Sequence, residues 1–113
     1  MLVNVTDGSV EVRLAAWEKG LGLMKDLHLP LADIGEVRVV AEPMREVRGT
    51  GLKAGLRLPG VYYVARTIRL DRIFLLRRGQ QAVLFAVRNH EPLQSVMVSV
   101  PDAPGFKRAL EGG

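Results

Sequence analysis

Apolar and polar residues alternate along much of this chain, and a period of two is the mark of β-strands with one face in a core and the other in solvent. Val10, Val12 and Leu14 share one side against Ser9, Glu11 and Arg13, and Val37, Val39 and Ala41 repeat the pattern against Glu36, Arg38 and Glu42. Further strands are predicted over residues 2–6, Lys25–Leu29, Val61–Ala65, Ile68–Leu76, Ala82–Val87 and Gln94–Val100. The breaks between them carry turn chemistry: Asp7-Gly8 supplies a tight hairpin, Pro30 and Pro43 stop strands, and Leu31–Gly35 reads as a single turn. Arg77-Arg78-Gly79-Gln80 and Asn89-His90-Glu91-Pro92 are the last two turns.

Two segments leave the alternation. Leu14, Trp17, Leu21 and Met24 fall at helical spacing, which predicts one or two irregular turns over residues 15–24 because Gly20 and Gly22 interrupt them. Asp102 offers an N-cap ahead of Pro104, and Phe106, Ala109 and Leu110 are predicted to share one face of a short closing helix. Trp17 and Phe106 are expected in the core. Together the elements predict a mainly β fold, a small antiparallel sandwich or partly open bent barrel of seven or eight strands, with the helix over one opening. At 113 residues, 48% of them hydrophobic, the chain can bury one core and not two, so residues 1–113 form one domain.

There is no cysteine, which excludes disulfides and thiolate metal sites. The first residues lack a basic, apolar leader pattern, and no later stretch approaches the roughly 20 apolar residues of a spanning helix, so a cytoplasmic location is expected.

Charge is uneven. Between Pro43 and Gly79 lie Arg45, Arg48, Lys53, Arg57, Arg66, Arg69, Arg72, Arg77 and Arg78, nine of the sixteen basic residues, against Glu46 and Asp71 alone. The net charge of +4 therefore conceals a basic middle and acidic flanks. Within the middle, glycines thread a basic stretch over residues 45–60, read as a loop between strands, whose Arg45, Arg48, Lys53 and Arg57 are the candidate anion-binding residues. An acidic phospholipid headgroup or a phosphorylated ligand would be the anion. The bland account is a connection whose cations face solvent or a neighbouring subunit.

Other chemistries find little support. Gly49-Thr50-Gly51-Leu52-Lys53-Ala54 formally fits a loose dinucleotide pattern, but Pro59-Gly60 follows at once and leaves no helix to hold a pyrophosphate, so no cofactor is expected. His28 and His90 are far apart, with no nucleophile, paired-carboxylate or metal-ligand spacing around either, and enzymatic activity is not expected. With few aromatics for stacking and no recognition helix, nucleic acid is not an expected partner.

Trp17-Glu18-Lys19 after a hairpin, Val37-Arg38-Val39-Val40, Arg45-Glu46-Val47-Arg48-Gly49, Leu58-Pro59-Gly60-Val61, and Leu93–Val100 before Pro101-Asp102 form a pattern over nearly the whole chain. In these motifs the chain resembles a group of small uncharacterised bacterial proteins with a pleckstrin-homology-like (PH-like) fold. The resemblance implies a seven-stranded, strongly bent antiparallel barrel capped by a C-terminal helix, and no enzymatic activity; the closing helix here is shorter than that fold usually carries. Lipid binding does not follow, since fold does not fix function. The expected role is a non-enzymatic scaffold or interaction module that pairs with itself or a protein partner through open sheet edges. The alternative is an anion-binding module recruited to an acidic lipid surface or a phosphorylated ligand through the loop 45–60.

Overall fold

The computed structural model describes residues 2–6, 8–13, 27–48, 53–58, 62–67, 69 and 71–112. The helical turns predicted over 15–24, Trp17 included, lie outside the described residues. A three-stranded antiparallel sheet contains β1 (Leu2–Thr6), β2 (Ser9–Arg13) and β3 (Leu27–Pro30), in that order. The β1–β2 hairpin closes through Gly8 and a later turn through Gly79, at φ angles of 76° and 79° that favour glycine. A single 3₁₀ turn, Leu31–Asp33, leads into the second sheet.

That sheet has six strands: β4 (Ile34–Val40), β5 (Lys53–Leu58), β6 (Tyr62–Thr67), β7 (Arg72–Arg77), β8 (Ala82–Val87) and β9 (Ser95–Ser99). Their spatial order is β4-β8-β9-β7-β6-β5. Helix α1 (Pro43–Arg48) follows β4, and helix α2 (Ala103–Glu111) closes the chain. The protein is thus mainly β with a short C-terminal helix, as the alternation predicts.

Three expectations need correction. First, the strands are not all antiparallel: β9 inserts between β7 and β8, pairing parallel with β7 and antiparallel with β8. The turn after β7 is tight enough for a hairpin, but strand choice goes to the apolar β9, whose Val96, Met97 and Val98 are all buried. Second, the stretch 45–60 is not one loop. Pro43 sits in the first turn of α1, where its missing N–H costs nothing, and Lys53–Leu58 forms β5, a strand beyond the eight expected places. Third, β7 starts at Arg72 rather than Ile68. The Thr67 hydroxyl donates to the Asp71 carboxylate and accepts from the Arg72 amide at 3.1 Å, which builds a turn where the alternation had suggested strand.

The main core lies between the sheets. Val10, Val12 and Leu29 of the small sheet meet Leu75, Val83, Phe85, Val96 and Val98 of the large one. Helix α2 lies against β4, β8 and β1 and adds Ala103 and Leu110 to this core, with Phe106 partly buried against it. Its first turn is capped as predicted: Asp102 Oδ1 accepts from the Gly105 amide at 3.1 Å. Ala109 is exposed, because it stands roughly 100° around the helix from Leu110. A second cluster, on the opposite face of the large sheet, joins Val40, Ala65, Phe74, Leu76, Ala82 and Met97 to Val47 of α1. No helix among the described residues is long and apolar enough to cross a membrane.

Phe85 is 0% exposed, so Phe85→Ala should cost about 3–5 kcal/mol in urea unfolding. Phe106→Ala, at a partly exposed site, should cost less, and Asp102→Ala about 1 kcal/mol through the lost cap. An equal loss for the two phenylalanines would contradict this placement of the core.

Candidate functional site

Among the described residues, the face of the large sheet that carries the second cluster is covered at one end only. Register sets its rows: Arg38, Leu84, Met97, Phe74 and Ala65 lie side by side across five strands. Ala86, Ser95 and Arg72 form the next row, and Glu36, where the β4–β8 register shifts between Ile34 and Val37, lines the same groove. Where α1 covers this face, Val47 is 3% exposed and Met44 packs beside it. Arg38 fastens the edge of the helix to the sheet by donating from Nη1 and Nη2 to Glu46 Oε1 and Oε2 at 3.2 and 3.3 Å. These bonds, reinforced by the charges of Glu46 and Glu36, raise the Arg38 pKa, so the guanidinium stays charged.

Beyond that clamp the face opens into a groove of about 390 Å³. Its hollow comes from the small side chains Ala86 and Ser95 on the two central strands, and its apolar floor from Leu84, Met97 and Phe74. Phe74 and Met97 are each 2% exposed, so the floor lies deep. Glu36 and Arg72 form opposite rims, and among the described residues neither takes part in an ion pair.

Two polar anchors fix the row that bears these rims. Asp33 Oδ1 accepts from Asn89 Nδ2 at 3.0 Å, and Oδ2 lies 2.8 Å from His90 Nε2. The Asp33 carbonyl accepts from the Arg88 amide at 2.7 Å, while Arg88 Nη2 donates to the Ile34 carbonyl at 3.1 Å. Asp33 thus ties the start of β4 to the loop after β8. On the other side the Asp71 carbonyl accepts from the amides of Gln94 and Ser95 at 2.8 and 3.1 Å, which sets the start of β7 against β9. The hydrogen bond from Asn89, followed by that from His90, lowers the Asp33 pKa; the Thr67 hydroxyl does the same for Asp71.

The four candidate anion-binding residues fall on two elements. Arg45, on α1, is 82% exposed and its Nε lies 3.1 Å from Glu42 Oε2. Arg48 ends α1, and Lys53 and Arg57 stand opposite Thr67 and Tyr63 in the β5–β6 register. The side chains of Arg48, Lys53 and Arg57 lie outside the described residues. Of the two histidines, His28 lies 3.1 Å from Glu11 across the β2–β3 pair, and His90 serves the Asp33 anchor. Among the described residues no group of three His, Cys, Asp or Glu could hold a metal ion. The groove residues escaped the sequence reading because they come from four strands that are neighbours only once β9 is placed.

No family model, curated protein or solved structure matches the chain.

Because the Asp33 pKa is lowered on folding, its carboxylate contributes stability that is complete above the ordinary range near pH 4 and vanishes as pH falls through the lowered value. Asp33→Asn should therefore be less stable than the parent at neutral pH and lose less on acidification. Thermal melts from neutral to strongly acid pH test this; parallel curves for the two proteins would remove Asp33 as an acid-sensitive anchor.

Proposed function

We propose that this chain is a cytoplasmic, non-enzymatic interaction module of the PH-like kind, which self-associates and makes its protein contact on the open half of the large sheet. The groove carries this reading: a deep apolar floor with charged rims of both signs is the composition of a recognition surface, with desolvated contacts at the centre and polar ones around them. The mainly β architecture and the C-terminal helix α2 packed against the core support the PH-like assignment.

Pairing through open strand edges, the route that strand-rich sequences first suggest, has less in its favour. Of the four edge strands three are ill suited to it: β4 has an irregular register between Ile34 and Val37, β5 carries Lys53 and Arg57, and β3 is a four-residue strand ending in Pro30, which leaves β1 alone unprotected. Bulges, cations and short proline-bearing edges are the devices that discourage edge-to-edge association. The face is left as the better contact surface.

Light scattering over a range of protein concentration should reveal a species larger than the monomer. Leu84→Glu, which puts a charge into the half-buried floor of the groove, should shift that distribution toward the monomer without unfolding the chain. A strictly monomeric parent protein at high concentration would remove self-association from this proposal.

A further inference from the structure

From the rims of the groove we infer that it receives an extended peptide segment of a partner protein, one that carries a cation and an acid four residues apart with an apolar side chain midway between them. The inference rests on reading the groove as a protein-contact surface and does not depend on self-association.

Glu36 stands on β4 and Arg72 on β7, with Ala86 and Ser95 between them. Those four strands are successive neighbours, so the two charges stand about three strand spacings apart, roughly 14 Å. An extended peptide advances roughly 3.3 Å per residue and returns its side chains to the same side every second residue. Positions i and i+4 of such a segment span roughly the same distance, about 13 Å, and present their side chains to the groove together with position i+2. The rims therefore ask for a lysine or arginine over Glu36 and an aspartate or glutamate over Arg72. The hollow above Leu84 and Met97 asks for an apolar side chain at i+2. Ser95 and Gln94 line the same groove and supply hydrogen-bonding groups for the peptide backbone.

Arg38 cannot substitute for Arg72 in this scheme, because both of its terminal nitrogens are engaged by Glu46. Asp71 feels the charge of Arg72 but does not pair with it: its carboxylate takes the Thr67 hydroxyl, and no ion pair joins Asp71 to Arg72 among the described residues. A ligand with only an anion, or only a cation, would leave one rim unmatched. A lipid headgroup meets the Arg72 rim alone and is the poorer fit.

The test is a switch of specificity, read by fluorescence anisotropy on three labelled peptides with blocked termini. These are Lys-Thr-Leu-Thr-Glu, Glu-Thr-Leu-Thr-Glu and Lys-Thr-Leu-Thr-Lys. The parent protein should prefer the mixed-charge peptide by about tenfold, since like charges brought face to face are penalised. Glu36→Lys makes both rims basic and should transfer the preference to the peptide with two glutamates. Arg72→Glu makes both acidic and should transfer it to the one with two lysines. The double variant E36K/R72E should return to the mixed peptide, which then binds in the opposite direction. Binding of none of the three by the parent, or binding whose order of preference is unmoved by the single variants, would overturn the inference. Vesicles of anionic phospholipid that bind the parent and compete with the mixed peptide would also overturn it, in favour of a lipid ligand. Light scattering on the same variants keeps this outcome separate from self-association, which can persist when the peptide preference fails.

Discussion

Strand β9 is the contact on which the architecture depends. Its pairing with the preceding strand β8 is what a simple meander would give, but its other neighbour is β7, and the parallel register there brings Phe74 beside Met97 and Leu75 beside Val98. Val96, Met97, Val98 and Ser99 are all buried, so beyond Ser95 this strand has no solvent face. A strand buried on both sides must satisfy its polar groups internally, and Ser99 does so by accepting the Arg77 amide at 3.0 Å. With β9 in place, β8 is displaced from β7, β4 is drawn to β8, and the opposite edge is left to β5 and β6. The order of the sheet follows from that one insertion.

Much of this was legible along the chain. The alternation over Ser9–Arg13 and the glycine turn at Gly8 determine the first hairpin, and Asp102 with Pro104 determines the start of the last helix. Those signals are local, carried by side chains within a few residues of the structure they specify. The partner of β9 was not local. The unbroken apolar runs Ile73–Leu76 and Val96–Val98 do signal strands buried on both faces, yet such runs say nothing about which neighbours they find. The stretch 45–60 misled for a different reason. Its glycines and cations suggest a loop, while the sparser apolar positions Met44 and Val47, at helical spacing, fold onto the second cluster.

The groove was illegible for a third reason, since its character is a difference between strands. Ala86 and Ser95 are unremarkable in sequence, and each would be a minor feature of its own strand. Placed side by side on the two central strands, they lower the sheet surface between two rows of larger residues. Glu36 and Arg72 likewise gain meaning only when three strand spacings separate them. The polar anchors at Asp33 and Asp71 hold that separation, and both join segments far apart in the chain, which puts them beyond pattern reading.

The two clusters of buried residues have one sheet in common and nothing else. Loss of α1 would strip from Val40, Phe74, Met97 and their neighbours the cover that Val47 and Met44 give, while leaving the core between the two sheets, with α2 across its end, intact. The molecule therefore contains a built-in hierarchy of opening: helix α1 can come away at lower free-energy cost than global unfolding. Amide exchange protection should accordingly be highest in β8 and β9 and low in α1, so that the helix bordering the groove is also the least costly part of the fold to rearrange.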